Sequence, residues 1–195
     1  ISLLSIPGKV FCKVIIKKVI LTTSERISDV QSGFMAGRGC VDQIFTLRQL
    51  VEKQLSVRRK LFTAFVDLEK AFDSVDRGML WDVLKAYGVN GALLGAVHAN
   101  YENSKACVRI DGEYSEWFEV YKGVRQGCVM SPWLFNIVMD KCVRDARLND
   151  CGLMIGESKV SVLLYADDAV LVSDSAVELQ TMLSRLNEAL LGNYL

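Results

Sequence analysis

Three aspartates hold most of the chemistry this sequence can do. Asp167 and Asp168 are adjacent within VLLYADDAVLV (Val162–Val172), a run that is otherwise apolar, and Asp67 closes KLFTAFVD (Lys60–Asp67). An ionised carboxylate left unpaired in apolar surroundings is costly, and a second one beside it adds to the cost or forces protonation. The closest basic residue in sequence is Lys159. Either the pair sits at an exposed hairpin tip or a cation from outside the sequence sits against it. If the two runs are neighbouring strands, all three carboxylates meet at one sheet edge. Oxygen ligands in that number suit a hard divalent cation such as Mg²⁺, with positions left for water and phosphate. Two such ions can serve an in-line phosphoryl displacement.

Each feature alone has an ordinary explanation. An Asp-Asp pair at a turn is most often a solvated turn, an Asp at a strand end a cap, and Phe72 in KAFD a core aromatic. RQG (Arg125–Gly127) and SP (Ser131–Pro132) read as loop and helix-cap chemistry. Their order and spacing together are what distinguish the sequence.

The elements that must position these residues follow from periodicity. Residues 9–21 read as a helix with Phe11, Val14 and Ile15 opposite a row of Lys9, Lys13 and Lys17. Ser32–Cys40, with three glycines, reads as a loop, and 41–56 as a helix through Ile44, Leu47, Val51 and Leu55. Lys60–Asp67 is a strand, followed by a helical face of Leu80, Val83, Leu84 and Tyr87 that Gly88 can end, and by a helix over 92–101. Asp111-Gly112 marks a hairpin. Ser131 is placed as N-cap and Pro132 as first residue of the next helix. KVSVLLYADDAVLVS forms a hairpin with the aspartates at its tip. A last helix starts at the Ser175/Glu178 capping box and runs through Met182, Leu186 and Leu190. The pattern is α+β, an antiparallel sheet backed by helices.

Composition sets the bounds. The chain has 195 residues, 51% of them hydrophobic and 24% charged, enough for a core and unlike a disordered segment. The apolar runs are shorter than the roughly 18 residues of a membrane span, so no membrane partner is expected. No signal peptide is evident, and a start at Ile1 without Met reads as a chain beginning in mid-protein. Six scattered cysteines without a CxxC and a single His98 argue against zinc and for reduced thiols inside a cell, in nucleus or cytoplasm. The net charge is zero; only Lys9, Lys13 and Lys17 and the run Arg58-Arg59-Lys60 offer basic clusters, either solvated faces or phosphate contacts.

Three segments, in order, carry a resemblance: FVDLEKAFDSVDRGMLW, GVRQGCVMSPWLFNIVMD and LLYADDAVLVS closely resemble the central motifs of reverse transcriptases, most of all those of non-LTR (LINE-type) retrotransposons. ISLLSIPGKVFCKVI and QSGFMAGRGCVDQIFTLRQLVEK resemble that family's finger motifs, and the likeness extends to about Ala189. It implies a fingers–palm fold, with fingers at 1–57, palm at 58–100, a fingers hairpin at 101–126 and further palm at 127–195. By the same resemblance, Asp67 and Asp167 are the principal metal ligands with Asp168 as partner, for two Mg²⁺ ions (Mn²⁺ as substitute). Phe72 matches the aromatic beneath the incoming sugar, where a ring excludes a 2′-hydroxyl. Gln126 and Gly127 match the nucleotide pocket, glycine allowing close backbone approach and glutamine a base-tolerant hydrogen bond. Ser131 and Pro132 match the start of a helix near the template, Tyr165 a template or primer contact, and Arg38 a basic finger position that reaches phosphate.

The sequence departs from that pattern at Ser32 and Met35, where the family usually has basic or aromatic residues. Set against the resemblance, the sequence reads as a first finger arm cut at Ile1 and a chain that closes on GNYL where the family continues into a primer-gripping hairpin and a helical thumb, without an endonuclease segment. The implied function is an RNA-directed DNA polymerase core acting on RNA template, DNA primer and dNTPs, as part of a longer polyprotein. The alternatives are a truncated, inactive remnant that at most binds nucleic acid or a protein, and a domesticated interaction module. A missing thumb also predicts an exposed apolar patch on the palm, including Leu186 and Leu190.

Overall fold

The computed structural model describes residues 4–192. The first helix, α1 (Ile6–Thr23), starts where the Ser5 hydroxyl accepts from the Gly8 amide and Pro7 occupies the first turn. Its buried face is Cys12, Ile15, Ile16 and Val19, spaced at i, i+3, i+4 and i+7. Phe11 (53% exposed) and Val14 lie outside it, correcting the expected face. The helix α2 (Cys40–Ser56) begins where Asp42 accepts from the Gly39 amide at 2.7 Å. It buries Leu50 and Gln54, while Ile44 and Leu55 of the expected face are exposed. Both helices are apolar on more than one side, so sequence periodicity did not determine which side meets the core.

Strand β1 (Phe62–Val66) leads through one helical turn, α3 (Ala71–Ser74), into α4 (Arg77–Ala86), capped by Asp76 accepting from Met79 N at 2.9 Å. Leu80, Val83 and Leu84 face the core as expected, and Gly88 (φ +91°) ends the helix. Next come α5 (Gly91–Ala99) and a nested pair of short hairpins. The outer one joins β2 (Lys105–Ala106) to β5 (Phe118–Glu119); the inner joins β3 (Arg109–Ile110) to β4 (Glu113–Tyr114). Asp111 and Gly112 both have positive φ, the turn expected from that dipeptide.

Helix α6 (Ser131–Asp145) is the axis of the core, buried on nearly every side from Trp133 to Val143. It starts one residue earlier than the capping pattern suggested: Met130 is the N-cap, and Ser131 and Pro132 are already helical. A small hairpin, β6 (Leu153–Ile155) with β7 (Ser158–Val160), takes residues assigned from sequence to the next hairpin, whose strand β8 (Val162–Tyr165) starts only at Val162. Strand β9 (Asp168–Ser173) then lies between β1 and β8, antiparallel to both.

One face of this three-stranded sheet, with Ala64, Val66, Ala169 and Leu171, packs into the main core with α6 and α7 (Ala176–Gly192). The other face turns Val170 and Val172 toward Leu47 and Leu50 of α2. Glu178 N meets the Ser175 hydroxyl at 3.4 Å, at the start of α7. Leu186 (2% exposed) and Leu190 (7%) are buried by it, so the expected apolar patch does not lie there. The i, i+4, i+8 row of Met182, Leu186 and Leu190 is the face that α7 lays on the sheet and α6.

A buried carboxylate ties the core to the segment after α1. Asp140, 1% exposed, accepts from Ser28 N at 2.8 Å, from Arg144 Nε at 2.7 Å and from the Tyr87 hydroxyl. Burial first, then that hydrogen bond, holds the Tyr87 hydroxyl far above the ordinary phenol range.

Candidate active site

Residues 166 and 167 form a two-residue turn, since the last pair of the β8–β9 ladder is Tyr165 opposite Asp168. Ala166 has φ +57° in the first turn position, where glycine is usual. Asp167 is half-buried and Asp168 exposed. In the β1–β9 ladder Val66 faces Ala169, so the next residue of β1's chain, Asp67, arrives level with Asp168. Both line one groove between the sheet and α2, about 300 Å³ in volume, together with Cys40, Gln43, Phe65 and Tyr165.

The expected convergence is therefore partial. Asp67 and Asp168 share a face, whereas Asp167 is carried on the turn and does not line the groove. Among the described residues no three His, Cys, Asp or Glu side chains form a ready metal cluster. The ladder has a two-residue repeat, so it aligns Asp67 with Asp168 and leaves Asp167 to the turn's own geometry. Mg²⁺ commonly takes one or two carboxylates plus substrate phosphates and water in place of an all-protein cage. The donor set fits such an ion: these carboxylates form none of the ion pairs found among the described residues.

Phe72, half-buried, lies against Phe135 of α6 with ring centroids 4.4 Å apart and planes 17° apart, and meets Phe34 edge-on at 6.4 Å. Its carbonyl accepts from Val124 N at 2.8 Å, and Val75 O accepts from Gly123 N at 2.8 Å. Those bonds bring the RQG segment to the Phe72 turn. A Cβ on Gly123 would stand 2.8 Å from the Asp73 backbone, so only glycine allows this approach. Gln126 and Gly127 are exposed at the centre of a turn closed by Cys128 N to Arg125 O, 3.0 Å, with Gly127 at φ +92°.

Other expected site residues sit differently. Ser131 is buried and donates its hydroxyl to the Arg125 carbonyl at 2.7 Å, pinning the RQG turn from below; Pro132 is half-buried beside it. Arg38 donates to the Gln31 carbonyl at 3.0 Å and to the Asp29 carboxylate, so its guanidinium is engaged within the protein. Tyr165 is exposed on the groove.

Several residues that shape the site carry no signal in the sequence. Gln31 reaches the Ala166 backbone, and Gln43 of α2 donates to Leu164 O at 3.3 Å. Asn136 of α6 donates to Gly33 O at 2.7 Å. Arg77 donates to the carbonyls of Val120, Lys122 and Gly123 while standing 5.1 Å from the Tyr101 ring centroid, and burial lowers its pKa. An amide or guanidinium bonded to backbone atoms has no periodicity or spacing by which it could be found.

Across residues 1–194 the sequence matches the family model described as "Reverse transcriptase (RNA-dependent DNA polymerase)". The chain belongs to the reverse transcriptase family. It is 32% identical over 80% of its length to the Pol polyprotein of the type-2 retrotransposable element R2DM of Drosophila melanogaster. It is 31% identical over 82% to an R2 Pol polyprotein of Nasonia vitripennis, and 31% identical over 92% to a transposon TX1 protein of Xenopus laevis. It spans only 14–16% of those proteins' lengths. In fold, this reverse transcriptase domain is similar to telomerase from Candida tropicalis (TM-score 0.65, 15% identity, 92% of this chain and 31% of that one). The corresponding match to Candida albicans telomerase has a TM-score of 0.61 at 15% identity, covering 96% and 32%.

Proposed function

We propose that this domain is the fingers and palm of an RNA-directed DNA polymerase of a retrotransposon, extending a DNA primer on an RNA template with dNTPs. The observation that carries the reading is the pairing of Asp67 with Asp168 on one face of the sheet's end, beside the turn that bears Asp167. In this reading Asp67 and Asp167, with Asp168 as partner, hold Mg²⁺. When bound, the metal supplies an activated primer hydroxyl and charge neutralisation on the triphosphate.

The chain's own residues do the rest. The segments around 1–57 and 101–126 act as fingers over a palm built from 58–100 and 127–195. Phe72, fixed by Phe135, presents a ring edge where a 2′-hydroxyl would clash, and a deoxyribose passes. Gln126 and Gly127 offer an exposed turn whose amide and side-chain groups approach the nucleotide without demanding one base. Tyr165 meets the primer end across the groove, Ser131 holds the RQG turn in place, and Ser131 and Pro132 begin the helix that lies near the template.

Primer extension on an RNA template with Mg²⁺ and dNTPs tests the reading. The expected result is extension by the chain, alone or joined to a thumb segment, that Asp167→Asn reduces by about 10³-fold or more. Extension indifferent to Asp67→Asn and Asp167→Asn would assign the activity elsewhere. Nucleic-acid binding without extension in either form would favour an inactive remnant.

A further inference from the structure

The aspartate turn is held from outside its own hairpin. Gln31 is fully buried, and one side-chain amide serves both backbone groups of Ala166. Its Oε1 accepts from Ala166 N at 2.9 Å, and its Nε2 donates to Ala166 O at 3.3 Å. The same Oε1 accepts from Gly33 N at 2.8 Å, and two N–H donors on one atom fix which end of the amide is oxygen. Gly33 packs so closely that a Cβ there would stand 2.2 Å from Ala166 N. Asn136 of α6 holds Gly33 in turn, through its carbonyl.

This clamp acts on the strained residue of the turn. Ala166 has φ +57°, a conformation an L-residue adopts rarely and keeps only when its surroundings over-determine it. Nothing within a two-residue hairpin loop saturates both polar groups of its first residue. The peptide planes either side of Ala166 aim the Cα–Cβ bond of Asp167, so whatever fixes Ala166 fixes where that carboxylate points.

We propose that Gln31 is a positioning residue for the reaction: it locks Ala166 in its left-handed conformation and thereby sets the direction of Asp167. The inference deepens the polymerase reading and rests on it for its catalytic consequence. Gln43 supplies the comparison, because its amide bonds the same segment through Val30 O and Ser32 Oγ, and the strand through Leu164 O, without touching the turn.

The test compares Gln31→Met, Gln43→Met and the unaltered chain by amide hydrogen exchange at Ala166 and by steady-state primer extension. Gln31→Met is expected to speed Ala166 exchange about tenfold or more, and Gln43→Met less than about threefold. For Gln31→Met, kcat is expected to fall about tenfold with the dNTP KM within about threefold, the signature of a misaimed group. If Gln31→Met does not melt cooperatively, Gln31→Asn, whose shorter amide withdraws from both backbone groups of Ala166 and stays uncharged, makes the same comparison. Equal acceleration by the Gln31 and Gln43 variants, or none in either, overturns the proposal, as does a kcat unchanged by Gln31→Met in an active chain. A chain that extends no primer removes the polymerase reading, while the exchange comparison still decides whether Gln31 holds the turn.

Discussion

The ring of Phe72 lies almost flat on that of Phe135, 4.4 Å between centroids and 17° between planes. The stack gives Phe72 a defined edge as well as a place in the core, and in the proposed polymerase reading a ring so fixed does not swing aside for a bulkier sugar. Phe72→Val is expected to relax discrimination against ribonucleotides by about tenfold or more, read as the ratio of kcat/KM for dNTP and rNTP. It should also lower stability by about 1–2 kcal/mol, because a half-buried stacked ring is lost. A large stability loss with selectivity unchanged would make Phe72 a core residue only.

Gly123 N donates to Val75 O, and the glycine lies against the backbone of Asp73, at φ +79°. Gly123→Ala would put a methyl group 2.8 Å from backbone that cannot retreat, in a conformation alanine resists. The expected cost is about 2–3 kcal/mol in urea unfolding. Gly112 also has positive φ but open space around its Cβ position, so Gly112→Ala should cost only about 1 kcal/mol. Similar costs at the two sites would show that backbone conformation, and not the close approach, decides the effect.

The motifs were legible in the sequence where residue type alone signals geometry. The Asp111-Gly112 turn, the Gly88 helix end and the strand that leads to Asp67 all come from local chemistry, whereas the pairing of that strand with the one after the Asp pair is only a condition in the sequence and is supplied by the β1–β9 ladder. What stayed hidden was orientation. Helix α1 is apolar around most of its circumference, so Phe11 and Val14 looked as eligible for the core as Cys12 and Ile16. Leu186 and Leu190 read as exposed only on the premise of an uncovered palm, and they lie instead on the face that α7 lays on the sheet and α6. The candidate site divided the same way: the carboxylates were visible as types, but Gln31, Asn136 and Arg77 act on backbone atoms far away in sequence.

Asp140 is a buried charge with three donors, and its network joins α6, the end of α4 and the segment at Ser28. Asp140→Leu is expected to destabilise the domain by about 2–4 kcal/mol, leaving Ser28 N and the Tyr87 hydroxyl without their acceptor. Arg144→Met should cost less, about 1 kcal/mol, since the Arg144 side chain is half-exposed and the carboxylate keeps two donors. Denaturant midpoints for the two variants check this; a larger loss at Arg144 would mean that neutralising Asp140 matters more than satisfying its hydrogen bonds.

The buried thiols set an alkaline limit. Burial, then the nearby Asp145 carboxylate, pushes Cys142 from 9.0 up to about 12; burial, then the neighbouring Cys128, pushes Cys12 up to about 11. A folded value above the unfolded one means that the unfolded chain releases its proton first. The stability these thiols contribute is thus complete below pH 9 and declines as pH climbs toward the folded values, with Tyr87 adding to the loss above pH 10. Each pH unit in that window should remove up to about 1.4 kcal/mol per thiol. Unfolding free energy measured under reducing conditions should be nearly flat from pH 7 to about 8.5 and then fall. Cys142→Ala lowers the plateau through its lost volume but should make the fall shallower above pH 9, because one of the groups that drive it is gone. An unchanged alkaline slope in that variant would show that Cys142 ionises as easily folded as unfolded, and that its burial in α6 does not reach the thiol.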